Sequence, residues 1–354
     1  MARRTRAEMQ EHNRARVLAA ARQEFAERGF RDAKIDVIAE SAELTRGAVY
    51  SNFPGKRALF FAVLADLAER APVGQADGVA PTVRAALGAF ARARLARLPL
   101  AAEVDGLDRL GADLVSEVLA DERTREPYAQ LTELTAVLLG LALEGLEPGA
   151  RRVRVARAAL TALHGAGQLA VVAPGFADPF DLAAACAQLA DLDLDDTWAP
   201  PHLPYVARAR PTAGPWTPPA ATDALRGAPA DLTADGVVAV LGLHRVAAVE
   251  EAVRAAPRDA TVTAVVVSSE PAELLPLARL VVAELRRDLR AAVPAAAWPR
   301  LRVVVDPTGA VAAAAGERAV SDGTEAAVRV AGGRIVARAD GRGACHAAAS
   351  TREP

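Results

Sequence analysis

The chain has 354 residues, of which 52% are hydrophobic, enough for two or three folded domains. Its two cysteines, Cys186 and Cys345, are too few for a disulfide framework or a four-cysteine metal site, which predicts a cytoplasmic protein. The net charge of −2 conceals a basic N-terminus, because residues 1–60 carry twelve Lys and Arg against eight Asp and Glu; this favours a polyanionic partner.

Four helices are predicted in the first seventy residues. Apolar residues recur at helical spacing from Arg14 to Arg28 and stop at Gly29. A short helix follows from Asp32, a candidate N-cap, to Ala42. A third covers residues 45–53 and ends at Pro54-Gly55, and a fourth runs over residues 56–70.

In the next part of the chain, the apolar spacing predicts a bundle of longer amphipathic helices, with no strand before residue 200. Proline and Pro-Gly pairs separate these helices. Their approximate ranges are 82–100, 104–121, 124–146, 149–173 and 179–193.

After residue 200 the pattern changes to that of an α/β domain. A proline-rich stretch, residues 191–222, is typical of an extended linker. The predicted strands are 236–243, 260–269, 300–306, 325–331 and 334–340, with helices at 246–256 and 271–292. The order is β-α-β-α-β-β-β, ending in a hairpin that turns at Gly332-Gly333.

Residues 30–60 have the spacing of a helix-turn-helix unit. Val49 and Phe53 are four residues apart and are expected to face inward, which turns Gly47, Ala48 and Ser51 outward. Small residues let a helix backbone approach base edges in a major groove, and Arg46, Tyr50 and Asn52 would reach phosphates or bases beside them. Lys56 adds a charge to the N-terminus of the next helix, where free N–H groups already favour an anion.

Two motifs in this segment resemble the DNA-binding domain of the TetR family of repressors. They are "GFRDAKIDVIAESAEL" and "TRGAVYSNFPGKRALF", in which Gly47, Tyr50, Phe53 and Lys56 follow the family's three-residue spacing. The resemblance covers about residues 10–65. It implies that DNA is contacted by Lys34, Thr45, Arg46, Gly47, Ala48, Tyr50, Ser51, Asn52 and Lys56, with Arg3, Arg4 and Arg6 as a basic arm. The alternative is a three-helix bundle that binds no DNA.

Glu43 departs from the family pattern, which usually has glycine in this turn. A non-glycine residue at positive φ costs roughly 1 kcal/mol. A carboxylate near phosphates also repels them. We therefore expect an altered turn and a lowered affinity for DNA.

The resemblance further implies a dimeric, ligand-responsive repressor that reads a palindromic operator. Helices over residues 57–146 would enclose an apolar effector, with Phe90, Tyr128 and His164 in its pocket. The helices 149–173 and 179–193 resemble the family's dimerisation helices, and their apolar residues exceed what one buried face needs. Effector binding would change the distance between the two recognition helices.

Several other features are discounted as functional sites. The "GAGQLA" at Gly165 lies within a helix and follows no strand, so it does not fit a dinucleotide-binding turn. The five histidines lie at no metal-ligand spacing, and no nucleophile–base pair is apparent, so no metal, cofactor or enzymatic activity is expected. No apolar stretch approaches a membrane span of about 18 to 20 residues and no secretory signal is recognised, so no membrane association is expected.

Residues 300–341 resemble the second half of a thioredoxin-like, peroxiredoxin-type domain, with a strand, an Asp-Pro turn, a short helix and a hairpin. Active members carry a cysteine after the first strand, but residues 242–252 hold none, and the family's cis-proline is missing near Gly323-Thr324. We therefore expect a redox-inactive binding module; the alternative is a redox- or peroxide-sensing regulator whose C-terminal domain carries chemistry.

The sequence thus predicts an all-α TetR-like bundle followed by a small α/β thioredoxin-like domain. The expected boundaries are 1–56 for the helix-turn-helix domain and 57–196 for effector binding and dimerisation. A linker of residues 197–230, the α/β domain of residues 231–346 and a tail of residues 347–354 complete the chain.

Overall fold

The computed structural model describes residues 5–72, 82–98, 106–199, 206 and 208–351. Its first four helices are α1 (Arg6–Asp32), α2 (Ile35–Ser41), α3 (Arg46–Asn52) and α4 (Lys56–Arg70). The predicted break at Gly29 is confirmed, because Gly29 has a φ of 72° and one further turn continues to Asp32. Arg3 and Arg4 of the expected basic arm lie outside the described residues, and Arg6 is the first residue of α1 rather than part of an arm.

The predicted cap of the second helix is wrong. Lys34, not Asp32, occupies the N-cap position of α2, and its side chain makes no capping bond. The backbone N–H of Lys34 instead donates to the carboxylate of Glu24 on α1, at 3.1 Å. A partner from another helix has therefore replaced the local cap.

Five more helices follow: α5 (Val83–Leu95), α6 (Gly106–Ala120), α7 (Glu122–Leu146), α8 (Val153–Val172) and α9 (Pro179–Gln188). They match the predicted helices to within about four residues, with two exceptions. Helix α5 ends at Leu95 rather than near residue 100, and α9 ends at Gln188 rather than near residue 193, followed by a 3₁₀ turn at Leu189–Asp191. The expectation that no apolar stretch approaches a membrane span is wrong, because by length and composition alone α7 and α8 could each span a membrane. Both pack against other helices, and α7 has a largely buried apolar face.

The C-terminal region is built on a mixed six-stranded sheet of order β1-β8-β7-β4-β5-β6. Its strands are β1 (Arg210–Pro215), β4 (Gly236–Gly242), β5 (Thr261–Val267), β6 (Leu301–Val305), β7 (Glu325–Ala331) and β8 (Arg334–Asp340). Strands β4, β5 and β6 are parallel. β7 and β8 form the predicted hairpin, and β7 pairs antiparallel with β4. The five predicted strands and two predicted helices occur in the predicted order, but the prediction missed β1 and the elements that precede β4 and follow β8.

Four helices belong to this region: α10 (Val249–Ala255), α11 (Pro271–Ala292), α12 (Ala310–Ala314) and α13 (Ala344–Ala349). One face of the sheet shares a core with the helices. The opposite face packs a separate apolar cluster that includes Trp216, Val240 and Val265.

The predicted linker, residues 197–230, is partly folded. It contributes β1 and a small hairpin of β2 (Ala221–Asp223) and β3 (Ala228–Ala230). β1 pairs with β8, where an edge strand tolerates its two prolines. Trp216 is buried, and its indole N–H donates to the carbonyl of Leu232. Pairing at the sheet edge and burial of a large ring thus overcame the proline-rich composition.

Helix α11 joins the two regions, because it packs against α4, α5 and α7 of the bundle as well as its own sheet. Ion pairs cross this interface at several points. The guanidinium of Arg57 reaches Glu273, Arg279 pairs with Glu69 at 2.5 Å, and Arg94 approaches Asp288 at 3.2 Å. A further pair, Arg254 with Glu144, joins α10 to α7 at 2.6 Å.

Candidate nucleic-acid interface

Helix α3 is held from one side by apolar side chains and from its start by a cap. Val49 and Phe53 are each about 1% exposed, as the spacing predicted. The hydroxyl of Thr45 accepts from the N–H of Ala48 at 3.2 Å. At the other end, the Arg14 guanidinium lies 4.4 Å from the centre of the Phe53 ring and donates to the Asn52 carbonyl. The helix is therefore fixed at both ends.

The outward face of α3 presents the residues that the sequence placed there. Thr45, Arg46, Gly47, Tyr50 and Ser51 are exposed. Ala48 and Asn52 are half-buried, and the Asn52 amide donates to the Ala48 carbonyl at 2.8 Å. A Cβ on Gly47 would meet no atom closer than 3.9 Å, so the fold does not require glycine there. Its absence of a side chain leaves the backbone open to close approach.

The turn between α2 and α3 has the positive φ at Glu43 that the resemblance implied, but it is a regular turn and not the altered one that we expected. Glu43 has a φ of 50°. The N–H of Leu44 donates to the Ala39 carbonyl, and that of Glu43 donates to the Glu40 carbonyl, which is the bonding of a Schellman turn. The Glu43 carboxylate pairs with Arg16 on α1 at 2.6 Å. Its negative charge is thus matched within the protein.

Two of the predicted DNA-contacting cations, Lys34 and Arg46, lie on the surface. The side chain of Lys34 is exposed. Arg46 pairs with the exposed Asp36 at 3.2 Å and lies 5.6 Å from the centre of the Tyr50 ring. Exposed pairs of this kind exchange readily with solvent or with another anion.

Lys56 is engaged with its own protein rather than free. It begins α4, as expected, but its Nζ donates to the Arg31 carbonyl at 2.9 Å and lies 4.8 Å from the centre of the Phe30 ring. Partial burial lowers the pKa of Lys56. A phosphate at the start of α4 would compete with the Arg31 carbonyl for this ammonium.

Sequence reasoning missed three arginines that organise this site. Arg14 supports the end of α3 and Arg16 binds Glu43. Arg57 donates to Asp121 at 2.5 Å and also to Glu273 of α11. Burial opposes the charge of Arg57, but the hydrogen bonds that it donates to Glu273 and then to Asp121 raise its pKa. Their partners are remote in sequence, so no local pattern could reveal them.

The three residues expected in an effector pocket lie within the bundle. Phe90 is completely buried. Tyr128 and His164 meet at 3.5 Å between Oη and Nε2, while His164 Nδ1 lies 2.7 Å from the Leu160 carbonyl. The carbonyl favours a proton on Nδ1, so the Tyr128 hydroxyl would donate to Nε2. Burial, followed by the charge of Arg94, lowers the pKa of His164.

A second surface, formed by the end of α8 and the start of α9, is apolar. Val172, Phe176 and Phe180 are 75%, 74% and 81% exposed. Leu169 and Val171 extend the same surface. Within the part of the chain that the structure describes, no group of three or more His, Cys, Asp and Glu could hold a metal ion.

Comparisons with known proteins bear on the N-terminal segment. Residues 17–63 match the model for bacterial regulatory proteins of the tetR family. A 65-residue segment is 49% identical to the HTH-type transcriptional regulator SrpR of Pseudomonas putida, covering 18% of this chain and 30% of that protein. It is also 49% identical to the uncharacterized HTH-type transcriptional regulator TtgW, likewise of Pseudomonas putida, covering 18% and 48%. The match thus spans less than half of these curated relatives.

Among solved structures, a TetR transcriptional regulator from Rhodococcus sp. RHA1 superposes with a TM-score of 0.34 and 19% identity, over 52% of this chain and 95% of that one. NalD of Pseudomonas aeruginosa, the secondary repressor of the MexAB-OprM multidrug efflux pump, gives 0.34 and 21%, over 51% and 95%. The family match on residues 17–63 identifies α1–α4 as a TetR-type helix-turn-helix segment.

Proposed function

We propose that this protein is a dimeric, ligand-responsive transcriptional repressor that binds a palindromic operator in double-stranded DNA through residues 45–53. The observation that carries this proposal is the outward face of α3. It combines exposed small and polar residues with a buried, capped support, within the segment that matches the tetR family model. We further propose that the protein acts in the cytoplasm, where such an operator is available.

In this proposal α3 enters the major groove. Gly47, Ala48 and Ser51 let the backbone approach base edges, and Arg46, Tyr50 and Asn52 bind bases or phosphates beside them. The capped start of α3 at Thr45 and the start of α4 at Lys56 both present N–H groups toward the DNA backbone. Lys34 adds a phosphate contact from the start of α2.

The dimer proposal is supported by the apolar surface at the end of α8 and the start of α9. An isolated soluble protein rarely leaves adjacent valine and phenylalanine side chains more than two-thirds exposed, as Val172, Phe176 and Phe180 are. Packing α8 and α9 of one subunit against the same helices of another would cover them in a four-helix interface. Two recognition helices would then meet two half-sites.

We propose that binding of a small-molecule effector changes the affinity for DNA, and we do not assign effector binding to one set of residues. The predicted pocket at Phe90, Tyr128 and His164 stays a proposal. A ligand could reach the completely buried Phe90 only if the surrounding helices moved. Helix α11 packs beside this region, against α5 and α7, so such movement would also shift the C-terminal domain.

For the C-terminal domain we propose a thioredoxin-like fold used for binding rather than for chemistry. Support comes from the strand order, in which the β7–β8 hairpin lies against β4 and the parallel β4 and β5 continue the sheet. Cys345 on α13 is fully buried, and burial raises the pKa of its thiol well above the usual range. The reactive thiolate that a redox sensor requires is therefore disfavoured at Cys345.

The test is selection of DNA from a random pool by the full-length protein at low salt, followed by footprinting. We expect an approximately palindromic site whose half-sites are about one helical turn, or a small multiple, apart. Arg46→Ala should weaken binding and change base preference. Arg258→Ala, which removes an exposed arginine of the C-terminal domain, should do neither. Failure to protect any selected DNA would overturn the proposal.

A further inference from the structure

A cleft of about 950 Å³ lies where α1 and α4 meet the C-terminal domain. One wall is α11, from Pro271 to Arg286, and the other is formed by residues 219–227 and by the segment after β6. Its volume is within the range of small-molecule sites, about 300–1,000 Å³. The cleft is separate from Phe90, Tyr128 and His164, which do not line it.

Three arginines line this cleft: Arg14 from α1, and Arg279 and Arg286 from α11. Arg279 is paired with Glu69, at 2.5 Å. Among the described residues, Arg14 and Arg286 have no carboxylate within 4.0 Å. The cleft therefore offers two guanidinium groups whose charge no described acidic side chain directly matches.

Arg286 is also short of hydrogen bonds. One terminal nitrogen donates to the Glu69 carbonyl at 3.1 Å, but its Nε is buried without a partner among the described residues. Asp306, the remaining acidic residue of the cleft, is occupied elsewhere. Its carboxylate accepts the backbone N–H groups of Ala310, Val311 and Ala312 at 2.9–3.0 Å. The protein thus holds the Arg286 guanidinium with an incomplete set of bonds, which is costly for a buried donor and leaves the group free to turn toward an anionic ligand in the cleft.

The rest of the cleft is largely apolar, with Leu275, Pro276, Val304 and Val311 among its lining residues. We infer that the cleft binds a small amphipathic anion, whose carboxylate or phosphate lies against Arg14 and Arg286 and whose apolar tail lies along α11. Guanidinium groups match both headgroups, since their forked donors fit two oxygens at once.

Arg14 connects this cleft with the recognition helix, and this step rests on the proposed DNA-binding function. The same guanidinium donates to the Asn52 carbonyl at 3.3 Å and covers the Phe53 ring. Burial and the nearby charge of Arg279 lower the pKa of Arg14, as expected for a cation without a carboxylate partner. An anion that draws Arg14 into the cleft loosens the end of α3 and lowers affinity for DNA.

Calorimetric titration of the full-length protein, without DNA, tests the binding step. The probes are decanoate and decyl phosphate, used below their critical micelle concentrations, and decanol, used below its solubility in water. We expect one or both anions to bind and decanol, which has no charge, to bind at least tenfold more weakly. Preference for decanoate or for decyl phosphate identifies the headgroup. Equal binding of decanol, or no binding of either anion, overturns the inference.

Two variants localise the site. Arg286→Gln should weaken anion binding about tenfold or more, whereas Arg287→Gln, on the same helix but outside the cleft, should leave it unchanged. Ala272→Glu places a negative charge at an exposed position of the lining in the first turn of α11, where it suits the helix dipole. It should also weaken anion binding without loss of thermal stability. Wild-type affinity in both variants refutes the site.

The coupling is measured with the DNA selected above. Saturating anion should reduce affinity for that DNA severalfold in the wild-type protein and not in Arg286→Gln. If the anion binds but DNA affinity is unchanged, the coupling through Arg14 is wrong and the binding site stands. If no DNA is bound with or without anion, the proposed function fails, while the calorimetric result remains decisive for the site.

Discussion

Among the contacts that attach the C-terminal domain to the bundle, one centres on a buried carboxylate, that of Asp288. It lies on α11 and is completely buried. Arg97 donates to it at 2.5 and 2.9 Å, and Arg94 at 3.2 Å. Burial of Arg94 opposes its positive charge, but the nearby carboxylates of Glu284 and Asp288 raise the pKa of Arg94. Asp288→Asn keeps the size of the side chain and removes its charge, leaving two partly buried guanidinium groups poorly matched.

The magnitude follows from these contacts. Removing one partner of a buried ion pair typically costs about 3–5 kcal/mol of the free energy of unfolding. Three bonds to one carboxylate would favour the upper part of that range. Glu284 nevertheless stays 3.5 Å from Arg94, and water can reach both arginines at the edge of the interface. We therefore expect a loss of about 3 kcal/mol, at the lower end of that range.

The measurement is urea unfolding followed by circular dichroism, at one fixed protein concentration because a dimer's stability depends on it. The matched control is Asp259→Asn, an exposed aspartate of the same domain, which should change the free energy of unfolding by less than about 0.5 kcal/mol. A loss for Asp288→Asn below about 1 kcal/mol would show that this carboxylate does not fasten α11 to α5. Replacing Asp288 by Leu together with Arg97 by Met should recover part of the loss, since Arg94 then keeps Glu284 as its partner.

Four further predictions concern the DNA-binding segment, the dimer and the bundle. Lys56→Ala should weaken binding to all DNA sequences and reduce the salt slope by about one; an unchanged slope would show that Lys56 stays on the Arg31 carbonyl. Glu43→Gly should raise the free energy of unfolding by up to about 1 kcal/mol, because glycine relieves the positive φ. This change also removes the ion pair between Glu43 and Arg16, and Arg16→Ala measures what that pair contributes. Phe180→Asp and Val172→Asp should each give a folded monomer by light scattering and abolish operator binding, whereas Met9→Asp, on another exposed apolar residue, should remain a dimer. Because the pKa of His164 is lowered in the folded protein, the unfolded chain binds its proton first, so the free energy of unfolding should fall as pH drops below about 6.5. In His164→Gln the free energy of unfolding should fall less between about pH 7.5 and 5; an equal fall in the two proteins would contradict the burial of a neutral imidazole.

Local pattern alone determined most of the helices and strands and the face of α3 that is exposed. Val49 and Phe53 are four residues apart, so any helix through them must turn Gly47 and Ser51 the other way. The positive φ of Glu43 was expected from the resemblance, because the family usually has glycine in this turn, and the Schellman bonds that end α2 show why one left-handed position is needed there. Such features depend on neighbours within about four residues.

The tertiary structure decided what each side chain does once those elements meet. Lys56 was expected at the start of α4 and is there, yet its ammonium lies on the carbonyl of Arg31, 25 residues away in the sequence. Composition predicted a linker over residues 197–230. Trp216 and β1 nevertheless join the sheet, because pairing at a sheet edge and burial in an apolar pocket outweigh a proline-rich composition. The pairing of Asp288 with Arg97 and the position of Arg14 between the cleft and α3 also join residues distant in sequence. Charge and burial at such points depend on how whole helices pack, and no periodicity in the chain encodes that packing.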